Sequence, residues 1–203
     1  MAGRGRPRSF DRTTALRRAM ELFWEQGYEA TSMTDLTSAM GIASPSLYAA
    51  FGSKEQLFRE AVALYDATEG SYMADAFGEG TTARGAIAAL LREKARAYTE
   101  PGKPPGCMIV LAATNCSEAN SPVRQHLADL RSSGRDLMIR RFEQGVRDGE
   151  LPEGTDAAAA TDFYSAVLQG MSFQARDGAS RAELDEIAER AIAAWDAVVA
   201  PKR

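Results

Sequence analysis

The sequence predicts an all-α protein. No segment keeps the strict alternation of apolar and polar residues that a half-buried β-strand requires. Glycine and proline instead separate segments of helical length, and several of these begin with a serine or aspartate that can cap a helix. Apolar residues recur within them at three- and four-residue spacing. We therefore expect a set of amphipathic helices and no sheet.

The composition is that of an ordinary globular protein, with 203 residues of which 45% are hydrophobic and 26% are charged. The longest apolar stretch, residues 108–113, is far shorter than the ~20 residues that a membrane-spanning helix needs. The N-terminus is basic but no apolar segment comes after it, so it does not have the pattern of a secretory signal. We expect a cytoplasmic protein with no membrane partner.

The N-terminal end is the most basic part of the chain. The first 20 residues carry a net charge of +5 and the remainder carries −9. A basic end on an acidic body is typical of a protein that presents one face to phosphate. Residues 1–8, with Arg4, Arg6 and Arg8, are by their charge either a disordered, solubilising tail or, next to a DNA-binding motif, an arm that orders on DNA.

Residues 32–54 predict two short helices joined by a tight turn. Ser32 and Asp35 match a capping box at the start of the first helix, and Gly41 suits its left-handed end. The second helix has Pro45 in its first turn and Ser44 as its expected N-cap.

The second of these helices has an uncharged outward face. Leu47 and Phe51 point inward at helical spacing, which leaves Ser44, Ser46, Tyr48, Ala49 and Ala50 facing outward. A short helix that carries hydroxyls and a tyrosine is suited to a DNA major groove. Ser53 then caps a further helix, with Gln56 as its box partner.

The remainder of the chain predicts six more helices. The first spans residues 53 to about 65 or 68 and connects the N-terminal unit to the C-terminal part of the chain; the others span 82–98, 107–118, 121–148, 156–176 and 182–199. Ser121 is expected to cap the helix that it begins, and Ser180 and Glu183 match a capping box before the last one.

The two cysteines raise the question of a redox or metal sensor. If one helix spans Cys107 and Cys116, they lie on opposite faces and about 13 Å apart along the axis, so they share neither a disulfide nor a metal. We expect two reduced thiols, and no metal or other cofactor. A single reactive thiol, or a site completed by another helix, is the alternative.

An enzymatic role finds little support in the sequence. The nucleophile-elbow, zinc-protease, P-loop and dinucleotide motifs do not occur. The single histidine, His126, lies in a polar run and is expected at the surface.

Asn115 is the polar residue of an otherwise apolar segment. One helix would place it on the same face as Met108 and Leu111, where the amide is either satisfied within the core or directed into a ligand cavity. The candidate cavity residues are Tyr65, Leu91, Tyr98, Met108, Leu111, Asn115, Phe142, Phe163 and Met171. Because no cluster of buried charges is evident, we expect a small neutral or weakly polar ligand.

The run from Thr31 through Leu57, with its pattern T-S-x-x-D-L-x-x-x-x-G-I-x-x-P-S-L-Y-x-x-F-x-S-K-E-x-L, resembles the DNA-binding domain of the TetR (tetracycline-repressor) family of bacterial regulators. The resemblance covers about residues 9–65 and includes a preceding helix that carries Phe10, Leu16, Ala19, Met20, Phe23 and then Gly27-Tyr28. It implies a helix-turn-helix domain over 9–52 and a ligand-binding and dimerisation domain over 53–203, with 53–68 as the connecting helix.

The resemblance also implies site residues and partners. Tyr48, Lys54 and Ser32 match positions that commonly touch phosphates, and Thr34, Ser44, Pro45 and Ser46 match positions that face bases. Ala49 and Ala50 depart from the bulkier residues often found there, which favours thymine-methyl contacts and readout of DNA shape.

The family pattern predicts a homodimer that represses transcription at a pseudo-palindromic operator and is released by a small-molecule effector. The last two helices would form a four-helix interface through Phe163, Val167, Gly170, Ile187, Ala191, Trp195 and Val198. The alternative function is a small-molecule or redox sensor that keeps this fold without binding an operator.

Overall fold

The computed structural model describes residues 10–70, 77 and 80–201, and within these ranges it contains helices and no β-strand. The all-α prediction is confirmed. The predicted arm at residues 1–8 lies outside the described residues. Among the helices that are described, none combines the length and the apolarity needed to cross a bilayer.

The N-terminal part consists of α1 (Arg12–Gln26), α2 (Met33–Met40), α3 (Ser44–Phe51) and α4 (Lys54–Tyr65). The α1 and α4 helices pack together, with the Phe23 and Phe58 rings edge to face at 5.0 Å between centroids. Leu36 of α2 and Leu47 of α3 complete this core and are fully buried. Helices α1, α2 and α4 therefore form a base that holds α3 at the surface of the N-terminal part.

Local capping signals fix most ends of these helices. The Ser32–Asp35 capping box is present, and Gly41 adopts φ 67° at the end of α2, as predicted. Ser53 caps α4 by accepting a hydrogen bond from the Gln56 backbone. The prediction for Ser44 is wrong: Ala43 is the N-cap, and Ser44 is the first residue of α3.

The C-terminal part contains α5 (Ala83–Ala97), α6 (Met108–Leu111), α7 (Ser121–Arg147), α8 (Ala157–Arg176), α9 (Arg181–Ala193) and α10 (Trp195–Val198). A π-helical turn, Asp66–Gly70, comes directly after α4. The core of this part includes the stacked rings of Phe142 and Trp195, 5.6 Å apart, with Tyr164 beside both.

The helix predicted over 107–118 is the main correction to the fold. Helical structure stops at Leu111: the Ile109 carbonyl accepts a hydrogen bond from the Arg131 guanidinium (2.7 Å), and beyond the helix the Ala112 carbonyl accepts one from the Tyr28 N–H (2.7 Å). The predicted common face of Met108, Leu111 and Asn115 therefore does not exist, and the helical separation inferred for the two cysteines does not apply.

Two smaller corrections concern helix ends. Asn120 rather than Ser121 is the cap of α7, and the predicted helix over 182–199 is divided at Ala194 into α9 and α10. The capping box of Ser180 and Glu183 is present as predicted.

Candidate DNA-binding surface and effector cavity

The α3 helix presents the face that the sequence predicted, with one exception. Ser44, Pro45 and Ala49 are exposed, and Tyr48 is 50% exposed. Ser46 is half-buried. Ala50 packs against the core, and its carbonyl accepts a hydrogen bond from Arg12, so its predicted outward position is corrected. The parts of α3 that another molecule, such as DNA, can contact directly are therefore its first turn and one side of the helix.

The start of α2 lies at the surface with Ser32 and Thr34 exposed. The Ser32 hydroxyl accepts from the Asp35 N–H (3.1 Å), and the Asp35 carboxylate accepts from the Ser32 N–H (2.9 Å). Hydrogen bonds that the Asp35 carboxylate receives from the Ser32 side chain and then from the Ser32 backbone lower the pKa of Asp35. The N-terminus of α2 is thus held in one conformation by its own capping box.

Lys54 occupies a half-buried position at the start of α4. Its Nζ lies 4.3 Å from the centroid of the Tyr28 ring. Burial lowers the pKa of Lys54, and the nearby Glu29 carboxylate acts in the opposite direction. Lys54, which is predicted to contact a DNA phosphate, is therefore held against the Tyr28 ring beside α3.

Arg12 is the basic residue whose role the sequence did not show. Its guanidinium forms an ion pair with Glu60 (2.6 Å) and lies 4.4 Å from the Phe51 ring centroid. This arginine connects α1, α3 and α4, so it stabilises the domain although it contributes to the basic N-terminal charge.

The main cavity has a volume of about 290 Å³ and lies between the end of α4 and helices α5 to α8. Of the predicted wall residues, the structure brings Tyr65 and Tyr98 to this cavity. Four others lie in the surrounding core and are fully buried: Leu91, Met108, Phe142 and Met171.

The other three predicted wall residues lie elsewhere. Leu111 and Asn115 line a separate cavity of about 120 Å³ next to Tyr28, and Phe163 is exposed on α8. Asn115 lies beyond the early end of α6, which accounts for its place away from the main cavity.

The cavity also holds residues that the sequence did not predict there. Lys94 is buried, and it lines the cavity together with Cys107 and Arg131. Lys94 lies seven residues after Ile87 and four before Tyr98, which is a position on the apolar stripe of α5 and was the available signal. The cavity therefore contains one buried charged side chain, Lys94, that was not evident from the sequence.

Tyr65 and Tyr98 line the cavity together with Cys107, which is close enough to influence both phenols. Burial, and then the proximity of Cys107, raises the pKa of Tyr65 and of Tyr98. Both phenols consequently stay protonated near neutral pH and act as donors. Cys107 and Cys116 are free thiols.

Neither a metal cluster nor a fully exposed histidine is found in the described residues. No group of three or more His, Cys, Asp or Glu side chains there is arranged to hold a metal ion. His126 is partly exposed, and burial followed by the nearby Arg59 lowers its pKa.

An apolar stripe runs along the outer face of α8. Phe163 is 39% and Phe173 is 47% exposed, Val167 is half-buried, and Gly170 has open space where a side chain would project. Continuing the predicted stripe from Gly170 by one more three-residue step would have identified Phe173.

The predicted interface residues of the last two helices divide into two groups. Ile187 and Val198 are half-buried. Ala191 and Trp195 are buried within their own chain, because the Trp195 ring stacks on Phe142 and the Ala191 carbonyl accepts from the Tyr164 hydroxyl (3.3 Å). The structure accounts for both residues within their own chain, and their place in an intermolecular contact stays a prediction.

The cavity and the N-terminal domain are joined through α6 and its flanks. The Trp24 indole donates to the Gly106 carbonyl (3.1 Å), and the Tyr28 N–H donates to the Ala112 carbonyl. Between these two anchors, Cys107 and Ile109 line the cavity. A single short segment therefore contacts both the cavity and the end of α1.

Two segments of the chain match known family profiles. Residues 15–61 match "Bacterial regulatory proteins, tetR family", and residues 82–192 match "Tetracyclin repressor-like, C-terminal domain". The HTH-type transcriptional repressor ComR of Escherichia coli (strain K12) is 35% identical over 197 residues, which cover 97% of this chain and 94% of ComR. The HTH-type transcriptional repressor BdcR of the same organism is 32% identical over 195 residues, covering 96% and 92%.

A solved structure shows the same arrangement. A cysteine mutant of the TetR family transcriptional regulator CifR, complexed with 26 bp double-strand operator DNA, has a TM-score of 0.90 and 46% sequence identity. The match covers 94% of this chain and 100% of the CifR chain.

Proposed function

The chain belongs to the TetR family of bacterial regulatory proteins, and from this premise we propose that it is a ligand-responsive transcriptional repressor that binds operator DNA as a homodimer. The observation that carries the proposal is the exposed face of α3, which the buried Leu47 and Phe51 hold on a rigid base. The relatives ComR and BdcR, both named as repressors, support the same direction of regulation.

The proposed DNA contacts fall into two classes. Phosphate contacts come from Ser32, Tyr48 and Lys54, and base contacts come from Thr34, Ser44, Pro45 and Ser46. Ala49 is exposed and offers a methyl group to thymine. Because this face has few hydrogen-bonding side chains, DNA shape and the arm with Arg4, Arg6 and Arg8 supply the remaining selectivity.

The α8 stripe is the proposed dimer surface. An exposed row of Phe163, Gly170 and Phe173 loses its contact with water when it meets the same row of a second copy. The half-buried Ile187 and Val198 extend this surface. Two copies then place their α3 helices in half-sites about 34 Å apart or a near multiple, which a pseudo-palindromic operator provides.

Release from DNA is proposed to run through α6. A ligand in the cavity contacts α6 directly, and α6 is anchored to the end of α1 at both of its ends. A ligand that binds better to the arrangement with the wrong spacing of the α3 helices weakens operator affinity by that difference. A repressor that acts on chromosomal DNA works in the cytoplasm, where we place this protein.

An electrophoretic mobility shift with DNA that flanks the protein's own gene tests the function. We expect a shifted complex that unlabelled specific duplex removes and that an excess of unrelated duplex does not. Tyr48→Ala should weaken this complex, whereas a substitution at Phe173 should change its stoichiometry. A folded protein that gives no specific shift at any salt concentration would support the sensor without an operator.

Deletion of residues 1–8 tests the arm separately. Deletion should lower operator affinity, and the loss should be larger at low salt because the arm contributes charge. Unchanged affinity at low salt would leave these residues as a tail.

A further inference from the structure

Lys94 is a buried cation in the wall of the cavity. The residue is 6% exposed, and the contact that the structure gives its ammonium is with the Tyr98 ring, whose centroid lies 6.0 Å from Nζ. In the described ranges, no carboxylate lies within ion-pair distance of Lys94 and no group accepts a hydrogen bond from it. The adjacent Glu93 is already paired with Arg96 at 2.6 Å. Among the described residues, the fully enclosed side-chain atoms without a partner are Arg141 Nη1 and Thr161 Oγ1 and not Lys94 Nζ, so this ammonium stays accessible from the cavity and can pair with an anion there.

The other polar groups around Lys94 are also donors. Tyr65 and Tyr98 carry phenols that burial keeps protonated. Arg131 is half-buried and donates to the Ile109 carbonyl (2.7 Å), and no acid is paired with it in the described part of the chain. The cavity therefore offers several donors together.

Carboxylates are scarce on the same wall. Asp66 is the one acid among the described lining residues; its side chain is exposed, and it forms no ion pair with Lys94 or Arg131. The described wall also has the neutral polar side chains of Ser133, Ser165 and Gln169 and an aliphatic part that includes Val110, Leu130 and Leu168. A ligand that suits this wall brings its own negative charge on an apolar body.

We propose that the effector is a small organic acid whose carboxylate pairs with Lys94 and accepts hydrogen bonds from Tyr65 and Tyr98. The volume of about 290 Å³ is at the lower end for cavities that hold organic ligands, about 300 Å³ and upward, so the acid has a short apolar body. This inference rests on the proposed function, because it names the chemical class of the ligand that releases the repressor.

Binding measured without DNA tests the inference. Butanoate, hexanoate, octanoate and phenylacetate are titrated into the full-length protein by calorimetry, each beside the uncharged amide of the same skeleton. At least one acid should bind about tenfold more tightly than its amide, since a charge-assisted bond is lost in the amide. Absence of binding by all four acids, or equal affinity of acids and amides, overturns the proposal.

Two lysine variants show whether Lys94 is the cause. Lys94→Met keeps the length of the side chain without the charge, and it should bind acid and amide alike. Lys103→Met is the matched control, because Lys103 is paired with Glu69 (2.8 Å) and does not line the cavity. If Lys94→Met does not fold, Lys94→Gln replaces it with the same expectation. A folded Lys94 variant that still prefers the acid over its amide contradicts the assignment, whereas Lys103→Met should keep that preference.

The two proposals fail in different ways. If wild-type protein prefers acids but does not shift operator DNA, the repressor function is wrong and the ligand class stands. If it shifts DNA but shows no preference for acids, the ligand class is wrong and the function stands.

Discussion

Arg176 connects the last turn of α8 to the end of α1, and its removal should cost more stability than its partly exposed position suggests. Its guanidinium donates to the backbone carbonyls of Trp24 (2.7 Å), Glu25 (2.6 Å) and Pro105 (3.3 Å). The first two belong to the last turn of α1, where carbonyls have no partner within the helix. The side chain thus satisfies backbone acceptors that the helix itself leaves open.

The expected magnitude can be worked out from these contacts. A hydrogen bond from a charged donor contributes about 1.5 to 3 kcal/mol. Since Arg176 is half-buried and water can reach part of the freed carbonyls, we expect Arg176→Met to lower the free energy of unfolding by about 2 kcal/mol in total. Urea unfolding measures this at one fixed protein concentration, because the stability of a dimer depends on concentration.

Arg181→Met is the matched control for this experiment. Arg181 pairs with Asp185 one turn along α9, and both side chains are largely exposed. Such a pair contributes roughly 0.3 to 0.5 kcal/mol. Equal losses in the Arg176 and Arg181 variants would refute the reasoning, because they would show that the three carbonyls gain nothing from the guanidinium.

Four further predictions address the DNA surface, the dimer and the response to pH. Tyr48→Ala should weaken operator binding about tenfold on every sequence tested, and a loss confined to one operator would contradict a phosphate contact. Lys54→Ala should lower the slope of log affinity against log salt concentration by about one, measured by fluorescence anisotropy. An unchanged slope would contradict a phosphate contact and would mean that the Lys54 ammonium stays against the Tyr28 ring in the complex. Phe173→Glu should give a monomer in light scattering, since it places a charge in the proposed interface; a persistent dimer would place the interface elsewhere. Hydrogen bonds from Asn120 and Ser117 hold the pKa of Glu29 below its ordinary 4.5, so Glu29→Gln should be less stable than wild type at neutral pH. That gap should close as pH falls through the lowered pKa, and a gap that persists in acid would contradict this origin.

Features set by neighbouring residues could be predicted from the sequence. The capping boxes at Ser32 and Ser180 and the left-handed Gly41 depend on a few adjacent residues, and all three are present. The inward positions of Leu47 and Phe51 result from helical spacing alone.

Features set by distant contacts could not be predicted in this way. Around the end of α6, the carbonyls of Ile109 and Ala112 accept hydrogen bonds from Arg131 and from the Tyr28 N–H, the latter more than 80 residues earlier in the chain. The sequence predicts Trp195 at an interface, since local spacing cannot show that the ring of the distant Phe142 stacks on it. Lysine is usually exposed, so the residue type predicts a surface position for Lys94; its burial results from the helices that surround α5.

The anchoring of α6 by main-chain atoms has a consequence for how such regulators can diversify. The acceptors at its two ends are the carbonyls of Gly106 and Ala112, and neither bond depends on the side chains of residues 107–111. Gly106 itself is constrained, because it has φ 79° and a side chain there would lie 2.6 Å from the Ser172 carbonyl. Mutation or laboratory selection can therefore vary the cavity-facing side chains of α6 to change ligand preference without altering the two hydrogen bonds that connect this segment to the N-terminal part.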